Sequence, residues 1–253
     1  MKIAFVASPR LAAQRALQEL SGRYGQAAAE EADFIVTIGG DGTALKALHD
    51  APAMPAKPVF AMRTDSSEGF LCNSLRTDDL TARLQAAFRV ELPVLQAEIE
   101  RVGGRSQVLF GINEIVLNRQ VFQQAKLKVA VYGEGDLMII NGDGLVLTTP
   151  LGSTGYNRSL GGPLLPLGSS LFALTGIAIW RPPAWSPVVL SDRATLDVEV
   201  IEAAHHPVQI VTTSGTVPNI SRARLFRSPD RTVTLLFDLE AQSRFGPPFG
   251  RSC

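Results

Sequence analysis

Residues 34–38 form an apolar, β-branched run that passes directly into Gly39-Gly40-Asp41-Gly42-Thr43, after which a helical pattern begins. Such a run reads as a strand buried on both faces. A strand that empties into a glycine loop and then a helix is half of a strand-helix-strand unit, which commits this part of the chain to a parallel sheet. Neighbouring segments keep the rhythm: strands at 2–8 and 59–62, helices at 11–23, from Thr43 onward and at 78–88, the last with Leu80, Leu84, Ala87 and Phe88 on one face. We expect an α/β, doubly wound domain over residues 1–92.

After Pro93 the texture changes to short, β-branched, turn-punctuated runs at 108–117, 125–132, 137–141, 145–149 and 232–237. These predict a mostly β C-terminal domain over 93–240, with 241–253 as a mobile tail. Gly103-Gly104, Gly133-Glu134-Gly135-Asp136 and Asn141-Gly142-Asp143-Gly144 all read as hairpin turns.

Composition excludes more than it selects. A chain of 253 residues, 45% of them hydrophobic, can bury one large core or two small ones. Lys plus Arg and Asp plus Glu are 24 each, which leaves no basic footprint for nucleic acid or an anionic membrane. The apolar stretch 164–180 is interrupted by Pro166, Gly168, Ser169 and Ser170 and is shorter than the ~20 residues of a bilayer span. Two cysteines, Cys72 and Cys253, are too few for a disulfide framework or a four-ligand metal site. The chain is expected to be cytoplasmic, with a small-molecule partner.

The glycine loop suits a phosphate. It stands at the carboxyl end of a strand, where open α/β sheets bind ligands. Gly39, Gly40 and Gly42 allow close backbone approach, and Thr43 is positioned to cap a helix whose N-terminus attracts anions. Asp41 is the residue that does not fit a simple anion cradle. A carboxylate there makes sense if it holds Mg²⁺ or another divalent ion against phosphates, or accepts the proton of an attacking hydroxyl. A turn in which Asp41 bonds only local backbone is the bland alternative. Lys46 is placed to face an anion or to sit in solvent.

A second segment, 143–163, ends a strand at Thr149-Pro150, turns at Leu151-Gly152-Ser153, and continues as a helix capped by Ser153 or Thr154 and stopped by Gly161-Gly162-Pro163. Alone, it would be a capped helix with Tyr156 in the core.

Together these segments resemble the NAD kinase family. Gly39 to Thr43 is similar to a signature shared by NAD kinases, lipid kinases and, loosely, phosphofructokinases, while the run from Asp143 to Pro163 resembles the NAD kinase segment and Asn113-Glu114 matches its Asn-Glu pair. Strings at 125–127 and 235–238 extend the likeness. The resemblance implies an NAD kinase/diacylglycerol kinase-like fold and an enzyme that phosphorylates the adenosine 2′-hydroxyl of NAD to NADP, with ATP or a related donor and Mg²⁺. It implies Asp41 as the catalytic carboxylate. It assigns NAD binding to Asp41, Gly42, Lys46, Asn113, Glu114, Asn141, Asp143, Thr154, Gly155, Tyr156, Ser159 and Ala178, and the phosphate donor to Gly39, Gly40, Gly42, Thr43, Gly161 and Gly162. No metal ligand is fixed by sequence beyond a contact from Asp41. Assembly as a homodimer or homotetramer is implied as well.

The match fails in one place. The family's glycine-rich string after the third strand is replaced by Ala61-Met62-Arg63-Thr64-Asp65-Ser66-Ser67-Glu68-Gly69-Phe70-Leu71, in which only Gly69-Phe70-Leu71 persists. Asn141 likewise stands where several members have a basic residue. A non-catalytic dinucleotide-binding protein of the same fold is therefore the alternative, and a lipid kinase a more distant one.

Overall fold

A computed structural model describes residues 1–50, 57–64, 70–132 and 137–240. Contacts divide the chain into two units, Met1–Leu92 with Arg231–Cys253, and Pro93–Asp230.

In the first unit the order is β1 (Ile3–Ala7), α1 (Leu11–Tyr24), β2 (Phe34–Gly39), α2 (Asp41–Asp50), β3 (Val59–Arg63), β4 (Asn73–Ser74) and α3 (Leu80–Ala86). The strands pair in parallel, Ile3 with Phe34, Ile35 with Val59 and Met62 with Asn73. Period-two alternation between two covered faces explains why the run at 34–38 is buried on both and apolar except for Thr37. Val36, Ile38, Phe60 and Met62 face α1 and α3 through Ala13, Leu20, Leu80 and Leu84, while Ala61, one residue out of phase, packs with Ala44 of α2 and Cys72. Helices thus cover both faces, and the domain is doubly wound.

Two boundaries differ from the sequence reading. The helix expected over 78–88 stops at Ala86, because Phe88 opens the next strand and stacks on Phe237 with ring centroids 5.5 Å apart. The β domain expected to run to residue 240 ends earlier. From Arg231 the chain rejoins the first unit, where Leu235 and Leu236 pair in parallel with Val59 and Phe60. A buried ion pair anchors that return: Arg83 Nε and Nη2 donate to the two carboxylate oxygens of Asp238 at 3.0 and 2.7 Å.

The second unit contains β5 (Phe88–Arg101, from Pro93), β6 (Ser106–Gly111), β7 (Glu114–Arg119), β8 (Ala125–Tyr132), β9 (Leu137–Gly142), β10 (Gly144–Thr148), α4 (Tyr156–Ser159), β11 (Leu171–Ile177), β12 (Val188–Ser191), β13 (Thr195–Val200), β14 (Val208–Thr212), β15 (Gly215–Val217) and the first part of β16 (Ile220–Phe237). One sheet holds β16, β13, β8 and β9 with β5 and β6, and the other runs β12-β11-β10-β7-β14-β15. Alternate side chains of both, among them Leu127, Val129, Leu196, Leu117, Leu145, Phe172 and Ile210, fill one core.

Gly103 and Gly104, at φ 94° and 82°, make the expected hairpin between β5 and β6. The Gly133–Asp136 turn and the 241–253 tail lie outside the described residues. The third expected hairpin is not one. Asn141 pairs with Lys126 in the first sheet, whereas Gly144 pairs with Asn118 and Ile177 in the second, so Asp143 is a one-residue crossing between sheets. The glycines serve close backbone approach rather than a turn. A Cβ on Gly142 would lie 2.9 Å from the Ala178 carbonyl oxygen, and one on Gly144 would lie 1.9 Å from that of Leu117. The strand expected over 108–117 also divides, with Ile112 and Asn113 forming a bend between β6 of the first sheet and β7 of the second.

Candidate active site

In the first unit, β2 delivers its glycine loop to the start of α2. Gly39 is required by its neighbour, since a Cβ there would stand 2.4 Å from Thr43 Oγ1. The Thr43 and Ala44 amides donate to the Gly40 carbonyl at 2.9 and 3.3 Å, so the helix starts at Asp41. Thr43 is therefore inside the first turn and not its cap, a correction to the sequence reading. Gly42 is exposed with nothing near its missing Cβ.

The Asp41 carboxylate is held, not loose. Its Oδ2 accepts the Phe70 amide at 2.8 Å and its Oδ1 accepts the Leu71 amide at 3.0 Å, with Cys72 Sγ at 3.5 Å. Burial, reinforced by the Asp41 charge, pushes the Cys72 thiol up to about 12, so the sulfur is a protonated donor to Asp41 and no competing anion. Phe70 and Leu71 belong to the part of the altered loop that kept the family string, and Gly69 before them lies outside the described residues. Lys46 does not join this group. Five residues on, it is rotated by roughly 140° around the helix from Asp41, and its exposed ammonium pairs with Asp50.

The second unit carries the other predicted residues. After β10 the chain makes a 3₁₀ turn at Gly152–Thr154, breaks at Gly155 (φ −94°, ψ −125°) and resumes as the single turn α4. The one capped helix expected over 153–160 is thus two short pieces. Ser153 cannot cap, because its buried hydroxyl donates to the Pro150 carbonyl at 2.8 Å and accepts the Leu165 amide at 3.1 Å. Thr154, Gly155, Tyr156 and Ser159 are left exposed, and Tyr156 at 43% is not a core residue. Gly161 (φ 78°) ends α4, and Gly162 is bare because Asn157 occupies the space a Cβ would need.

Asn157 is the residue that sequence reasoning passed over. Fully buried, it donates to the Ser153 and Pro163 carbonyls and accepts the Thr175 hydroxyl at 2.7 Å, tying both ends of the segment to β11. Its burial was not signalled by the local pattern, in which it is a polar residue between Tyr156 and Arg158.

Asn113 lies in the bend before β7, so the strict alternation of a straight strand does not extend through it. The Asn113 carbonyl is fixed by the Thr149 amide and by the Thr148 and Thr149 hydroxyls. Asn113 Oδ1 and Glu114 Oε2 are buried with no hydrogen-bond partner among the described residues. Two orphaned acceptors at one corner are a mark of a ligand that brings donors. Burial alone pushes the Glu114 carboxyl up to about 7 from 4.5. A carboxyl raised on folding favours the folded state in its protonated form, so stability should fall as pH rises from about 4.5 to 7, by on the order of 2–3 kcal/mol. Denaturant midpoints for the protein and Glu114→Gln should diverge across that window, with the variant flat. Parallel curves would mean that the carboxyl is solvated.

Asp143 meets Arg119, the last residue of β7, with Nε to Oδ1 at 2.6 Å and Nη2 to Oδ2 at 3.2 Å. Both line a cavity of about 650 Å³ that also includes Asn118, Tyr156 and Ile177. Asn141 exchanges backbone hydrogen bonds with Trp180 and Arg181. Ala178 lies just beyond β11 at φ 44°, where the chain bends past Gly142. A larger groove of about 810 Å³ on the second unit contains none of the predicted residues, and its Lys128, Glu199, Asp197 and Arg224 pair among themselves.

The family model of the ATP-NAD kinase C-terminal domain matches residues 112–226, the part that holds Asn113, Glu114, Asp143 and α4. An NAD kinase of Hyphomonas neptunium is 39% identical over 238 residues, covering 94% of this chain and 92% of the relative. The chain belongs to the NAD kinase family. An NAD kinase of Xylella fastidiosa is 40% identical over 239 residues, covering 94% and 91%. Among solved structures, yeast NADH kinase complexed with NADH superposes with a TM-score of 0.77 at 16% identity over all of this chain and 90% of that one. An Archaeoglobus fulgidus NAD kinase in complex with ATP gives 0.71 at 22%, covering 96% of each. The NAD kinase fold is thus shared at identities where side-chain roles are not transferable.

Proposed function

We propose that this member of the NAD kinase family transfers the γ-phosphoryl group of ATP or a related donor to the adenosine 2′-hydroxyl of NAD, giving NADP and ADP. The observation that carries the reading is Asp41, a carboxylate oriented by two backbone amides at the mouth of an anion-suited glycine loop. Asp41 takes the hydroxyl proton as that oxygen bonds to phosphorus and the bond to the ADP oxygen breaks. Gly39, Gly40, Gly42 and Thr43 approach the donor phosphates through backbone, and the family resemblance assigns Gly161 and Gly162 to the donor as well. Asn113, Glu114, Asn141, Asp143, Thr154, Gly155, Tyr156, Ser159 and Ala178 bind the dinucleotide, with Lys46 a weaker candidate because of its pairing with Asp50.

A divalent ion fits as part of the donor. Among the described residues no three His, Cys, Asp or Glu side chains converge as a metal cage. Asp41 offers one carboxylate, and donor phosphates supply the remaining charge, the usual arrangement for Mg²⁺. Bound there, Mg²⁺ would neutralise charge on the transferring group. A homodimer or homotetramer in the cytoplasm accords with the resemblance, and no helix among the described residues is long and apolar enough to cross a membrane.

Purified protein supplied with NAD and MgATP should form NADP, with polyphosphate and NADH as parallel arms. NAD binding without NADP above a no-enzyme control would replace this reading with that of a dinucleotide-binding protein.

A further inference from the structure

We propose that Arg119 is a positioning residue for dinucleotide recognition, holding the Asp143 carboxylate in the one orientation from which it can accept hydroxyl donors of a ribose. The inference deepens the function proposed above and rests on the placement of Asp143 against NAD.

Asp143 stands alone at the crossing between the two sheets, flanked by Gly142 and Gly144, which offer no side chains to pack against it. Its backbone is pinned, the amide donating to the Ile177 carbonyl at 2.8 Å and the carbonyl accepting the Arg119 amide at 2.9 Å. Its side chain is held by Arg119. The guanidinium presents one planar edge to both carboxylate oxygens, at 2.6 and 3.2 Å, and through Nη1 donates to the Val121 and Phe122 carbonyls at 3.0 and 2.5 Å. Arg119 is therefore fixed from behind by its own loop and transmits that rigidity to Asp143.

Stability is a poor explanation for the pair. The side chains are 29% and 36% exposed, and partly exposed ion pairs contribute little to folding. Recognition explains it better, for two reasons. A carboxylate has about four lone-pair sites, of which the guanidinium takes two, leaving two for a vicinal diol. Arg119 also cancels a charge that would repel the pyrophosphate of the incoming dinucleotide. The cavity that the pair shares with Tyr156 gives such a ligand room.

The test is steady-state kinetics on the intact protein for Arg119→Ala, Arg119→Lys, Asp143→Ala and the double Ala variant, with thermal midpoints as a folding check. Arg119→Ala should raise KM for NAD by roughly tenfold or more, the scale of a misplaced charged hydrogen-bonding group, while KM for MgATP and kcat change far less. Arg119→Lys should recover only part of this, because an ammonium cannot make the two-point contact. Adding Arg119→Ala to Asp143→Ala should produce no further rise. If Asp143→Ala raises KM but Arg119→Ala does not, or if the two increases multiply, Arg119 does not act through Asp143 and the proposal is overturned. If Asp143→Ala itself leaves KM for NAD at the starting value, the placement of Asp143 on the dinucleotide has failed, and the role of Arg119 falls with it. Should Arg119→Ala not fold, Arg119→Lys decides, with an increase of about threefold or more expected and an unchanged KM against.

Discussion

Asp41→Asn should lower kcat by about 10²–10⁴, the usual cost of losing a general base, and by more if the carboxylate also contacts the metal. KM for NAD should change little. The substitution removes the charge and also turns an amide NH₂ toward the Phe70 or Leu71 N–H, where an oxygen now accepts. A small loss of thermal stability is therefore expected alongside the loss of rate. The two effects separate the two roles of Asp41. A variant with full kcat and a lower Tm would make Asp41 an anchor for the 70–71 backbone and nothing else. The same contacts bear on the altered 61–71 loop: its retained Phe70 and Leu71 amides are the ones that orient Asp41.

Asp238→Ala should destabilise the protein by about 3–5 kcal/mol, the cost of leaving a buried charge without its partner. The Arg83 side chain is 4% exposed and would keep the Ser74 and Arg76 carbonyls, the Met62 sulfur at 3.6 Å and the Phe60 ring, 5.1 Å from its guanidinium carbon, none of which carries a compensating charge. A neighbouring network depends on the same corner: Asn73 accepts the Asp238 amide at 2.8 Å and donates to the Ala61 and Leu236 carbonyls. Replacing both partners, as Arg83→Met with Asp238→Leu, should cost less than Asp238→Ala alone, because no charge is stranded. Urea unfolding of the three proteins measures this directly. A single-variant loss below about 1 kcal/mol would show that water reaches the guanidinium.

The parts of this fold that were legible in the sequence are those set by local spacing. The short, β-branched, mostly apolar run at 34–38, stopped by glycines, reads as a strand covered on both faces, and β2 pairs with β1 and β3 under helices on each side. The glycine loop had to fall at the end of that strand. Gly103-Gly104 reads as a hairpin turn because paired glycines tolerate positive φ, and both residues take it. The long string from Asp143 to Pro163 pointed to the family, and relatives near 40% identity show that membership.

Only the tertiary structure could decide who meets whom across the sequence. Asn141-Gly142-Asp143-Gly144 has the composition of a hairpin, yet it crosses between sheets, where its glycines answer to the Ala178 and Leu117 carbonyls and Gly144 also takes a positive φ. Ile112 and Asn113 bend between sheets, which no alternation pattern records. Asn157 is buried by Gly162 and Thr175, Asp143 is oriented by Arg119, and Arg83 is neutralised by Asp238, 155 residues away. Periodicity follows from the geometry of one element and is written in adjacent residues. A buried polar group needs a partner, and the identity of that partner depends on which strands pair.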